Sequence, residues 1–264
     1  MNIFVRELRA NLKSLLIWGV IVILFIMVGF SKFSAYAGNP DMLAVLDQMP
    51  TAVVSALNMK AFNLTTITGF FGIMFAYYAL LLSIAATMWG SDIISKEERD
   101  KTVEFSLTLP VTRSRLVTAK TLAALVNCFG LLLITCGASL VGAASYQPDS
   151  SFYKFLFLCM LALFILQLIF LAIGIFLGCA MKQYKRASSV AVSLLLGTYF
   201  LSVISSLDEN LEFLKYLSPF KYFDAVSMLN DSRLNVAFVG LSLAIILVSM
   251  VGAYLTYARR DLYI

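Results

Sequence analysis

The sequence predicts an all-α membrane protein with six transmembrane helices, and three observations lead there. Hydrophobic residues make up 61% of the 264 residues and charged residues only 13%, against roughly 45–50% apolar and about 25% charged in soluble domains. Mean hydropathy is +0.89, and a soluble body of this composition lacks the polar groups to cover its surface. The charges are also segregated. Six intervals, 14–31, 61–91, 121–148, 155–181, 187–207 and 234–258, contain no Asp, Glu, Lys or Arg. About 20 apolar residues cross the roughly 30 Å hydrocarbon core, and a charge at its centre costs about 2.5–3.5 kcal/mol. Each interval therefore crosses once. The chain reads as a single transmembrane domain over 1–264, too short to hold a nucleotide-hydrolysing domain as well.

Before the first interval, NIFVRELRANLKSLLIW places Phe4, Leu8, Leu12 and Leu15 at helical spacing. Arg6, Glu7 and Arg9 fall on the remaining surface, as in an interfacial helix that precedes a turn into the bilayer. Ala35-Tyr36-Ala37 resembles a small-residue cleavage site, but the interval is long for a signal peptide and removal would leave an odd number of spans. Of the 20 Lys and Arg residues, 14 fall on the N-terminal side of the alternating spans and 6 on the other. The excess predicts a multi-pass protein of the cell membrane with both termini cytoplasmic.

Residues 32–60 form the first outer loop, where Asn39-Pro40 reads as a helix start and Pro50 separates a second apolar segment, TAVVSALNM. After the second interval comes the longest charged passage, SDIISKEERDKTVEFSLTLPVTRSRLVTAK, residues 91–120. Ser95-x-x-Glu98 fits a capping box and Glu97 to Lys101 a favourable i,i+4 pair. Pro110 stops any helix by Leu109. Val103, Phe105, Leu107 and Leu109 alternate as a strand would, so periodicity leaves residues 102–109 undecided.

Gly174-x-x-x-Gly178 gives the fourth interval a GxxxG face suited to packing within the subunit or to dimerisation, with internal packing the safer reading. Between the fifth and sixth intervals, Leu207, Leu211, Leu214 and Leu217 recur as a stripe that Pro219 ends. Phe213, Tyr216, Phe220, Tyr222 and Phe223 suit an interfacial or re-entrant element on the outer side, either a gate or a packing element.

Composition also excludes functions. The net charge of +5 gathers beside apolar runs rather than on a phosphate-binding face, which argues against a nucleic-acid partner. Without a single histidine, His-based catalytic and zinc sites are excluded, and no metal site is expected. Cys128, Cys136, Cys159 and Cys179 all lie in apolar runs, as small packed hydrophobes do. No in-membrane carboxylate pair supports an intramembrane enzyme, so no catalytic residue is expected. The absence of ionisable groups in the spans weighs against a proton- or ion-coupled secondary transporter. A non-transporting sensor or immunity protein remains the other alternative.

Four stretches, RELRANLKSLLIW, SKEERDKTVEFSLTLPVTRSRLVTAK, LSPFKYFDA and the terminal RRDL, occur in an order that resembles the permease subunits of ATP-binding-cassette exporters of the second type (ABC-2). Val103 departs from many relatives between Thr102 and Glu104. The resemblance implies an N-terminal elbow helix bearing Arg6, Glu7 and Arg9. It implies a cytoplasmic coupling helix between helices 2 and 3, with Ser95, Glu97, Glu98, Lys101, Thr102, Glu104 and, in the following turn, Arg113. It also implies a re-entrant element before the last helix, including Leu217, Pro219, Phe220, Tyr222 and Phe223. The implied partners are an ATP-binding-cassette ATPase subunit, a second permease copy or a homologous permease, and membrane lipid. ATP and Mg belong to the ATPase; this chain carries no G-x-x-x-x-G-K-[ST] loop and no cofactor of its own. A peptide, a lipid or a hydrophobic drug would suit the apolar path, and the resemblance names no substrate.

Overall fold

A computed structural model describes residues 3–38, 62–99, 112–181, 183–207 and 209–259. Six long helices, each apolar enough to cross a membrane, dominate it. They are α1 (Ile3–Tyr36), α2 (Ile67–Arg99), α3 (Arg113–Ala144), α4 (Ser150–Ala180), α5 (Tyr184–Ile204) and, after a short α6 (Ala225–Asp231), α7 (Val236–Arg259). Two 3₁₀ segments, Glu209–Tyr216 and Pro219–Lys221, lie between α5 and α6. No strand occurs among the described residues. This follows from the solvent: hydrocarbon offers no partner for backbone N–H and C=O, so each span must satisfy its own.

The expected spans are all present, with shifted ends. Charge-free intervals mark what tolerates the hydrocarbon, whereas helices stop where backbone geometry stops them. Helix α3 begins at Arg113 because Thr112, in extended conformation, accepts a hydrogen bond from the Arg115 amide at 3.4 Å. It ends at Ala144, four residues short of the expected limit. Asp149 caps α4, its carboxylate accepting from the Phe152 amide at 3.2 Å. The Ser151 hydroxyl and that amide hold the Asp149 carboxyl below its ordinary pKa. Helix α1 runs 34 residues without a break. The expected elbow residues are helical, but they form the first turns of α1 rather than a separate element; no Pro or Gly interrupts residues 3–18.

Helix α2 likewise continues past Ser95 to Arg99, which corrects the capping-box reading. The Ser95 hydroxyl donates back to the Ser91 carbonyl at 2.8 Å, the alternative open to a serine inside a helix. The expected Asn39-Pro40 helix start, the segment after Pro50, residues 101–109 and the terminal RRDL beyond Arg259 lie outside the described residues.

Packing is interleaved. Helix α1 pairs with α3 and α2 with α4, while α7 packs chiefly on α4 and α5 chiefly on α2. The α1–α3 pair runs parallel: Leu15 lies against Gly130, and Ile134 against Gly19. The α2–α4 pair is also parallel and closer still. A Cβ at Gly174 would stand 2.7 Å from the Thr87 carbonyl oxygen and 3.0 Å from the Ser91 nitrogen. One at Gly90 would stand 2.5 Å from the Leu171 carbonyl oxygen, and one at Gly178 2.9 Å from that of Ser91. The GxxxG face is thus used inside the subunit, against Thr87, Gly90 and Ser91 of α2, on a helix whose Ser83, Thr87, Ser91 and Ser95 are all buried. Most of the apolar stretch of α4 is buried, at 61%, against 17% for α7 and 22% for α5. Helix α4 is the axis of the bundle, and α7 and α5 are its periphery.

Leucine at position 174 is expected to lower the stability of the detergent-solubilised protein by about 1–3 kcal/mol or more, read as loss of the monodisperse peak on heating. Gly137→Leu, where nothing lies within 4 Å of the added Cβ, should leave the peak unchanged.

Candidate functional site

The alternating helices bring Arg6, Arg9, Lys13, Lys96, Arg113, Lys120, Arg186 and Arg259 to one end of the bundle, here the basic end. Residues 100–111 connect α2 to α3 at this end. Of the expected coupling residues, Ser95 is buried in the last turns of α2. Glu97 and Glu98 lie in its final turn, and their side chains, like Lys101, Thr102 and Glu104, fall outside the described residues. Arg113 opens α3.

The two helices that carry this connection are fastened to the rest of the bundle. On the α2 side, the Trp89 indole N–H donates to Ser14 Oγ of α1 at 2.8 Å. The Ser91 hydroxyl bonds Ser188 Oγ of α5 at 3.0 Å. On the α3 side, Arg113 Nη1 donates to the carbonyl oxygens of Tyr257 and Ala258, each at 3.3 Å. These belong to the last turn of α7, where carbonyls lack partners within the helix and the helix dipole favours a cation. One helical turn further on, Thr118 Oγ1 and the Tyr254 hydroxyl lie 2.7 Å apart. Arg113, expected in a docking turn, therefore caps α7 across 144 residues of sequence.

Two charges are buried nearby. Glu7 is 4% exposed and Lys120 1% exposed. The offset that sets Leu15 against Gly130 puts Glu7 level with the turn holding Lys120 and Thr121. Glu7 Oε1 accepts from Arg6 at 3.4 Å, while Oε2 has no hydrogen-bond partner among the described residues. Of the expected elbow residues, Glu7 thus faces the protein, whereas Arg9 is exposed and Arg6 half-buried.

The opposite end carries a cap built from the two 3₁₀ segments and α6. Pro219 starts the second segment, and the Ser218 hydroxyl pins it to the Thr198 carbonyl of α5 at 2.7 Å. Phe220 packs on Phe170 of α4 and edge-on to Tyr199 of α5, with centroids 5.1 and 5.5 Å apart. The Tyr222 hydroxyl donates to the Tyr216 carbonyl at 2.6 Å, and its ring stacks on Phe238 of α7 at 5.2 Å. Pro219, Tyr222 and Phe223 are buried as expected of packed residues, but Leu217 is 61% exposed. Leu211 and Leu214, three residues apart, share one face of the 3₁₀ segment and are half-buried, whereas Leu207 and Leu217 lie outside Glu209–Tyr216 and are exposed.

Sequence reasoning missed Ser14, Thr118, Ser188 and Tyr254 as fasteners, and Lys221, Asp231 and Arg233 around a pocket in the cap. No local pattern marks a hydrogen bond between residues 75 or 136 positions apart.

Six apolar helices of spanning length, closely packed and charged at their ends, define a multi-pass membrane protein. The chain belongs to the ABC-2 family of transporter proteins, whose description, ABC-2 family transporter protein, matches residues 1–262. That membership makes it a membrane component of an ABC transporter. No curated protein matches it.

Replacing Arg113 with Ala is expected to cost the last turn of α7 about 1 kcal/mol. Amides of residues 254–258 should then exchange hydrogen roughly five-fold faster, with amides in the middle of α3 unchanged.

Proposed function

We propose that this chain is the membrane-spanning subunit of an ATP-driven exporter, powered by a separate ATP-binding-cassette ATPase that holds the ATP and Mg. In this reading the basic end faces the cytoplasm, both termini with it, and residues 95–109 form the surface the ATPase grips. Glu97, Glu98, Lys101, Thr102 and Glu104 make the contacts, and a second copy or a homologous permease completes the assembly. The chain itself performs no hydrolysis.

The observation that carries this reading is the fastening at both ends of the 100–111 connection. A push there is delivered through α2 to α1 and α5 and through α3 to α7, by way of the Trp89–Ser14, Ser91–Ser188 and Arg113–α7 contacts. A loose connection would absorb the push. Alternating exposure of a central path draws support from the buried polar atoms of the spans. Ser83 Oγ, Asn127 Nδ2, Ser139 Oγ and both amide atoms of Gln167 are buried without a hydrogen-bond partner among the described residues. The offset that pairs Gly90 with Gly174 sets Ser83 level with Gln167, on the α2–α4 contact. Such groups cost about 1–3 kcal/mol each while the bundle is closed, and a conformation that opens a wet path between the helices relieves them. Peptides, lipids and hydrophobic drugs are the cargo classes such a path admits.

Charge reversal at Glu98 and Glu104 together is expected to reduce co-purification of the ATPase roughly ten-fold or more, with membrane insertion unchanged. Unchanged co-purification would count against the docking surface. ATP-dependent efflux from reconstituted vesicles separates an exporter from a sensor or immunity protein. Gln167→Leu should raise the melting temperature, because it removes an unsatisfied amide, and lower ATP-driven efflux; stabilisation with full efflux would sink the alternating-exposure argument.

A further inference from the structure

The cap holds a pocket of about 540 Å³, within the size range of small-molecule sites. Its walls come from the first 3₁₀ segment, the Lys221–Asp224 turn, α6 and the start of α7. We propose that it binds the headgroup of a zwitterionic phospholipid: a phosphodiester with an ammonium a few ångströms away. This binding is independent of transport and stands whether or not the chain exports anything.

Charge accounting selects the ligand. Among the described residues, three cations, Lys215, Lys221 and Arg233, and three carboxylates, Glu212, Asp224 and Asp231, line the pocket. Half of them are already engaged. Lys215 and Glu212 pair at 2.5 Å, a contact that lowers the Glu212 pKa and raises that of Lys215. Asp224 caps α6, accepting from the Ser227 amide at 3.1 Å. Lys221, Arg233 and Asp231 remain, and among the described residues none of these side chains makes an ion pair or hydrogen bond. Two cations suit one phosphodiester, and one carboxylate suits one ammonium. The stacked Tyr222 and Phe238 rings form an apolar wall of a kind that tolerates an alkylammonium. A purely anionic headgroup would instead set its charge against Asp231 with no compensating cation of its own.

Position selects a lipid as the source. Ser205, which lines the pocket, directly follows α5, and Val236, which also lines it, is the first residue of α7. The pocket therefore sits where two spans leave the hydrocarbon, at the depth of headgroups. Beside it Phe213, Tyr216, Leu217 and Val236 are 60%, 58%, 61% and 82% exposed. This apolar rim would lie along acyl chains while the headgroup occupies the charged floor.

The test is native mass spectrometry of the delipidated full chain in detergent. It is titrated with phosphatidylethanolamine, with phosphatidylglycerol, and with soluble glycerophosphoethanolamine as the headgroup alone. Phosphatidylethanolamine is expected to be retained about five-fold more than phosphatidylglycerol, the scale of one partly exposed ion pair. Asp231→Asn should abolish that preference, and Arg233→Ala should weaken both lipids. The soluble headgroup should bind far more weakly than the lipid. Equal retention of the two lipids by the wild-type chain overturns the proposal, and this arm needs no variant to fold. Adducts unchanged in both variants would mean annular lipid only, and soluble headgroup binding as tightly as lipid would mean a free phosphoester site. Asp231 and Arg233 are exposed and their side chains make no hydrogen bond among the described residues, so unchanged melting temperatures are expected for both variants.

Discussion

The arrangement of the bundle depends on the contact between α2 and α4. At Gly90, Gly174 and Gly178 the two backbones come so close that a single methyl group would collide with a carbonyl or an amide. In a bilayer this contact carries unusual weight. Lipid tails are as apolar as leucine, so helices gain little from hiding apolar surface and must associate through close packing instead. The α2 side meets α4 with a serine or threonine every fourth residue, and Thr87 and Ser95 return their hydroxyls to their own helix. The small polar residues thus provide a shallow groove in which Thr87, Ser91 and Ser95 have hydrogen-bond partners and Ser83 has none among the described residues. Helix α4 sits in that groove, and α7, α3 and α5 are arranged around the pair.

The interleaving has a mechanical consequence. Parallel pairs, α1 with α3 and α2 with α4, cannot be joined by short hairpins, so the 100–111 connection ties one pair to the other. It leads the chain from α2 to α3, which also pack on each other, and both helices are hydrogen-bonded to further spans close to where they leave it. A displacement there moves one pair relative to the other rather than bending a single helix. This makes the connection suited to the proposed ATPase, and the same geometry would serve any partner that pushes on that end.

The number of spans and their alternation were legible because the cost of a charge in hydrocarbon is large and leaves a plain trace in composition. The GxxxG face was also visible, but its partner was not: small residues on α2 look ordinary until the offset between the helices is known. Ser95 shows a local signal that misled. Ser-x-x-Glu is a helix start when the chain before it is not helical, and here α2 arrives already formed, so the hydroxyl bonds backwards. Arg113 has partners within the bundle that no local pattern marks. A basic residue after Pro110-Val111-Thr112 reads as part of a polar loop, yet it sits at N1 of α3 facing carbonyls at the end of α7. The cap was recognisable by its aromatic residues, but its helix type was not. Leu217 follows the 3₁₀ segment rather than belonging to it, and it is exposed.

The two ends of the bundle treat their charges differently, and this contrast separates structure from ligand chemistry. At the basic end Arg113 is committed to carbonyls of α7, Glu7 is buried and pairs with Arg6, and Lys120 is buried within the bundle. These groups hold helices in place, and changing them alters the frame on which a partner acts. At the cap end Glu212, Lys215 and Asp224 are likewise committed, but the side chains of Lys221, Asp231 and Arg233 line a pocket without an ion pair or hydrogen bond among the described residues. Lys221 and Arg233 repel each other, Asp231 pairs with neither, and exposed charges of this kind add little to folding. A ligand that carries both signs in one headgroup offers a partner to each, which is why the cap is the end of this molecule where small-molecule chemistry should be sought.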